Sequence, residues 1–112
     1  MAKRLTKALR GKRRWFGIHV DGQFSTRNQL TNHLNMLSSK WELTTQLRLM
    51  DFNISSEGEL SLAIIEVKLQ DSKLLRANIG DEKAIDVFGI QSITTSGKIR
   101  LVRDRLNLPK KQ

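Results

Sequence analysis

The side chains best suited to chemistry are cations, and they gather in two places. Arg10, Lys12, Arg13 and Arg14 close an N-terminal run that also holds Lys3, Arg4 and Lys7, with no acid among residues 1–14. Lys98, Arg100, Arg103 and Arg105 follow a small-residue turn at residues 94–97 and precede Lys110 and Lys111, against the single acid Asp104. The chain's net charge of +9 therefore sits at its two ends, and the centre between them is mildly acidic. Guanidinium and ammonium groups at this density neutralise phosphates; they do not attack or transfer anything. The pattern is that of a protein that meets a polyanion with its termini. RNA or DNA contact ranks first, ahead of two merely solvated tails. An anionic membrane ranks third, because residues 1–14 carry few large apolar anchors.

Other chemistries fall away on spacing. There is no cysteine, so disulfides and thiolate metal sites are excluded. His19 and His33 are far apart and belong to no metal-binding repeat. Gly97-Lys98 resembles part of a phosphate-binding loop, but that motif needs glycine where Ser92 stands and Ser or Thr where Ile99 stands. Glu57 and Glu59 fall on an expected turn, where they are solvated. No nucleophile, metal set or acid–base pair can be named, so no catalytic residue is assigned and no cofactor is expected on the protein. The Asn53-Ile54-Ser55 sequon carries no weight without a secretory route. The N-terminus lacks the apolar stretch of a secretory signal and no run is long enough to span a bilayer, so a cytoplasmic location is expected.

A chain of 112 residues is one domain's worth, here a basic lead over residues 1–12 and one domain over residues 13–112. Arg13 to Asp21 alternates as a strand, with Phe16, Ile18 and Val20 on one side and Trp15, Gly17 and His19 on the other. Ser25 or Thr26 caps a helix running to about Lys40, with Leu30, Leu34, Leu37 and Trp41 as its apolar stripe. Leu43 to Ile54 reads as a strand with Leu47 and Leu49 on one side and Arg48, Met50 and Phe52 on the other. A turn at residues 55–58 leads to a strand from Leu60 to Leu69 that is apolar on both faces, and so central. Asp71 or Ser72 caps a second helix that Gly80 ends or interrupts. Ile85 to Ile93 reads as the last strand. Gly97 is free to take a positive φ in the turn that follows. Ile99, Val102 and Leu106 then mark the apolar side of a short basic helix.

The order is β-α-β-β-α-β with a basic C-terminal helix: an α/β (α+β) sandwich of the ferredoxin-like, RNA-recognition-like kind, helices on one face of an antiparallel sheet. Such sheets can stack RNA bases on aromatics of their central strands. Residues 60–69 contain no aromatic, and one of Trp15 and Phe16 belongs in the core, so phosphate and shape contacts are expected instead.

Two segments carry a family resemblance. Arg10-Gly-Lys12-Arg13-Arg14-Trp15-Phe16 with Asp21-Gly22-x-Phe24 resembles the start of the small α/β protein subunit of archaeal and eukaryotic ribonuclease P, the protein component 2 family. Ser96-Gly97-Lys98-Ile99-Arg100 is similar to that family's closing segment, although Lys98 stands where the family usually has Thr and the second helix is shorter. The resemblance implies an RNA-recognition-like sandwich with added helices. It also implies binding to ribonuclease P RNA and precursor tRNA, contact with a larger barrel-type protein subunit, and a capacity to form homodimers. The RNA, with Mg2+, would hydrolyse the phosphodiester and remove the 5′ leader. Arg10, Lys12, Arg13, Arg14, Lys98, Arg100, Arg103 and Arg105 would neutralise its phosphates. A ribosomal or ribonucleoprotein assembly protein would share this charge pattern, and a protein–protein module with basic tails is the other alternative.

Overall fold

Thr26 starts the helix that organises one side of the molecule. In this computed structural model, which describes residues 12–54 and 60–106, Thr26 is extended and its hydroxyl accepts from Gln29 N, while Gln29 reaches back to the Thr26 backbone. This reciprocal cap satisfies N–H groups the helix would otherwise strand. Helix α1 runs Arg27–Lys40 and buries Leu30, Leu34 and Leu37. Thr26→Ala is expected to cost about 1 kcal/mol, read as a lower midpoint in urea denaturation with an unchanged slope.

Strands β1 (Arg13–Val20), β2 (Arg48–Asn53), β3 (Ser61–Lys68) and β4 (Ile90–Ser96) form one antiparallel sheet in the order β2-β3-β1-β4. Helices α2 (Leu69–Ile79), α3 (Ala84–Phe88) and α4 (Ile99–Arg105) complete the described elements. The main core lies between α1, α2 and one sheet face. Phe16, Ile18 and Val20 of β1 and Ala63, Ile65 and Val67 of β3 meet Leu30, Leu34, Leu37, Leu75 and Ile79 there. Strand β3 is central and apolar on both faces, as its sequence requires; Ile64 points the other way and is equally buried.

Polar groups tie the connections down. The Ser38 hydroxyl donates to Leu34 O at 2.7 Å and accepts from Leu47 N at 2.9 Å, joining the end of α1 to the approach to β2. Arg27 Nη2 donates to Leu49 O and Met50 O, at 2.8 and 3.2 Å.

Several expectations are corrected. The segment from Ile85 to Ile93 is not one strand: Ala84–Phe88 is a short helix, closed by Gly89 at φ 78°, and the strand begins at Ile90. The positive φ is thus at Gly89 rather than Gly97. Strand β2 begins at Arg48, because residues 41–47 form the connection, where Glu42 takes a left-handed φ of 54°. A register shift between Leu49 and Asp51 turns Phe52 onto the main core, away from Met50, with which strict alternation groups it. Helix α2 follows β3 directly at Leu69, and Asp71 is not its cap. The Asp71 carboxylate instead accepts from Thr44 N and Thr44 Oγ1. Helices α1 and α2 share one face, whereas the added C-terminal helix α4 packs on the opposite side of the sheet, where Val102 and Leu106 join Ile64 in a second cluster flanked by Trp15, Met50, Leu62 and Ile99. The expected turn at residues 55–58, and Glu57 and Glu59 with it, lies outside the described residues.

Candidate nucleic-acid interface

One strand pairing and one side-chain approach bring the basic segments together. Trp15 of β1 pairs with Ser96 of β4, so the entry to the first strand lies beside the exit from the last. Arg14 then lies across the turn: its Nη1 is only 3.0 Å from the point a Cβ at Gly97 would occupy. A larger residue at 97 would press on that guanidinium. The turn itself is closed by Lys98 N donating to Ser96 Oγ at 3.1 Å.

The expected cations have different surroundings. Lys12, Lys98 and Arg100 are exposed at this end of the sheet. Arg13 pairs with Glu66 at 3.1 Å, its side chain 43% exposed. The glutamate's side chain is only 13% exposed, so it is the arginine's half of the pair that faces water. Arg14 is half-buried, with Nη1 donating to Arg13 O. Arg103 is engaged inside the protein: Nε donates to Asp51 Oδ2 at 2.7 Å, with the carboxylate side chain 10% exposed. Arg105 Nη1 donates to Thr94 Oγ1 and Thr95 O, at 2.9 and 3.0 Å. Arg10, Lys110 and Lys111 lie outside the described residues. Arg13, Arg14, Lys98 and Arg100 are thus gathered at one end, while Arg103 and Arg105 hold α4 to the sheet.

The register adds two cations. Arg48 of β2 pairs with Glu66 of β3, and Lys68 of β3 pairs with Arg13 of β1. Alternation puts Arg13 and Trp15, Glu66 and Lys68, and Arg48 all on the α4 side. Across that face one row reads Arg48, Glu66, Trp15, Ser96, and the next reads Lys68, Arg13. The net-acidic middle of the chain gives no sign of Arg48 or Lys68 as site residues. The alternation that opposes Arg48 to Leu47 and Leu49 is the available clue, and it needs the strand order to have meaning.

Among the described residues, no group of three or more His, Asp or Glu is placed to hold a metal ion. His33 Nε2 donates to Phe88 O, and its ring packs on Phe24 at 4.7 Å between centroids, so it joins α1 to α3. No helix among the described residues is long and apolar enough to cross a membrane.

No family model, curated protein or solved structure matches the chain. Cations from both ends of the sequence thus meet at one end of the sheet, with Arg13 on the face of Trp15 and Arg14 on the opposite one.

Proposed function

We propose that the protein is an RNA-binding subunit of a ribonucleoprotein, and that the particle is ribonuclease P. In this reading it supports the catalytic RNA in removing 5′ leaders from precursor tRNA in the cytoplasm. The chemistry belongs to the RNA and its Mg2+. The protein lowers the repulsion between phosphates that the folded RNA must bring together. A larger barrel-type subunit and a second copy of this chain are its protein partners in the same reading.

One observation carries the proposal: Arg14 lying over Gly97, which brings the first strand's leading cations beside the turn that holds Lys98. Two further points support it. The order β2-β3-β1-β4 is the one expected of a ferredoxin-like, RNA-recognition-like sandwich built from two interleaved βαβ halves. Of the segments that resemble the ribonuclease P subunit, residues 12–16 and 96–100 meet at this end.

The test is reconstitution. Precursor-tRNA cleavage by ribonuclease P RNA and its partner proteins, at limiting Mg2+, is expected to rise when the chain is added. RNA binding without any gain in cleavage would assign the protein to another ribonucleoprotein. For the interface, replacing Lys12, Arg13 and Lys98 together by Gln is expected to flatten the dependence of log affinity on log salt by about 2–3, at ~0.7–0.9 for each phosphate no longer neutralised. An unchanged slope would move the RNA to another surface.

A further inference from the structure

Helix α4 is too short to keep its own shape. Seven residues are fewer than an isolated helix needs in water, and Lys98 supplies no side-chain cap. The sheet holds it through three sets of contacts. Val102 and Leu106 sit above Gly17, so close that a Cβ there would be 3.0 Å from Val102 Cγ1 and from Leu106 Cδ1. Arg103 reaches Asp51, and Arg105 reaches Thr94 and Thr95. Two of the three sets depend on cations that a phosphate would also attract.

The face beneath is imperfectly satisfied. Trp15, Gly17 and His19 leave β1 on the α4 side, and both Trp15 Nε1 and His19 Nδ1 are buried without a hydrogen-bond partner. Buried polar atoms are paired as a rule, and each exception calls for a reason. Trp15 packs beside Ile64, Val102 and Leu106, and shares its face with Arg13, Arg48 and Lys68 and with one acid, Glu66, which lies opposite it and is paired with Arg13. An aromatic ring on a face where three cations outnumber one acid is the composition of a base-stacking position on single-stranded RNA.

We propose, resting on the RNA-binding reading above, that α4 is a charge-latched strap over such a position. A phosphate of single-stranded RNA takes Arg103 from Asp51, α4 lifts from Gly17, and a base stacks on Trp15. Asp51 occupies the phosphate's place in the closed state. Closure and binding are then competitors: apparent affinity is reduced by the fraction of molecules that are open, so loosening the strap tightens RNA binding.

The experiment titrates the full chain with a ten-nucleotide oligouridylate at low salt, following affinity and Trp15 emission in a Trp41→Phe background. Trp15 is then the sole indole of the chain. Binding is expected to quench that emission, and Asp51→Asn is expected to bind several-fold tighter. Leu106→Ala loosens the strap without changing charge, and the same gain there separates release from a net-charge effect. Trp15→Leu is expected to weaken oligouridylate binding while sparing an abasic oligonucleotide of equal length. Circular dichroism establishes which variants fold, and Leu106→Ala decides if Asp51→Asn does not. Folded variants with unchanged or weaker affinity, beside wild-type protein that binds, would overturn the strap and leave the RNA reading standing. No binding by any form, wild type included, would overturn both.

Discussion

Phe16→Ala is expected to remove about 3–5 kcal/mol of stability, the largest effect expected of any single substitution in the sheet. Phe16 is fully buried on β1, one of the two inner strands, flanked by Ile65 of β3 and Thr95 of β4. Its ring sits in the main core, which also contains Leu30, Leu34, Leu37, Leu75 and Ile79 of α1 and α2. Truncation removes the transfer free energy of the ring and leaves a cavity that two β-neighbours and a helix layer cannot close. Domains of this kind have about 5–15 kcal/mol in all, so the variant should lie near its unfolding midpoint at modest temperature. Urea denaturation followed by far-UV circular dichroism measures this. A midpoint close to that of the wild type would show that the main core is organised around something other than this ring.

The second large effect is expected at Gly17, from the other face of the same strand. Valine there would put its Cβ 3.0 Å from Val102 Cγ1 and Leu106 Cδ1, with two methyl groups still to place. Overpacking of this kind costs about 1–3 kcal/mol. At about 4–8 °C per kcal/mol for a small domain, the melting temperature should fall visibly. The damage should also be local. Phe16 and Ile18 face the main core, whereas Gly17 faces α4, so the helix moves before the core does. Amide exchange is expected to lose protection at Val102 and Leu106 while Leu34 and Leu37 keep theirs. Gly17→Ala, with one methyl against two flexible side chains, should show a weaker form of the same pattern. A valine variant with a wild-type melting temperature and full protection in α4 would mean that the close approach is not a constraint.

What is legible in the sequence is local. Helix α1 can be read because cap and stripe agree: Thr26 starts it, and Leu30, Leu34 and Leu37 recur on one face. Strand β3 announces its central place through apolar residues on both sides. Other features depend on signals of longer range. The segment after Gly80 is short and apolar, which suits a strand or a helix equally; Gly89 in the left-handed region decides for a helical turn ending there. Strict alternation puts Phe52 on the wrong side because a register shift in β2 breaks it. Asp71 looks like a cap because it is an acid near a helix start, yet its partner Thr44 is 27 residues away. The site divides in the same way. Clusters of cations at the two ends are visible in composition alone. That Arg103 is held by Asp51, 52 residues earlier, is a tertiary fact. So is the arrival of Arg48 and Lys68 beside Arg13, which depends on the order of the strands rather than on any run of charge.

Arg27 on α1 has a bearing on how copies of the protein behave at high concentration. Strand β2 has β3 on one side only, and exposed edges of this sort invite another chain to add itself as a fifth strand. The two acceptors at the β2 irregularity, Leu49 O and Met50 O, are already occupied by Arg27, and the guanidinium sets a charge beside them. An incoming strand would have to displace it and bring its own backbone N–H groups against a cation. One arginine on a neighbouring helix thus sets a charge on the sheet's flank that an added strand would have to displace.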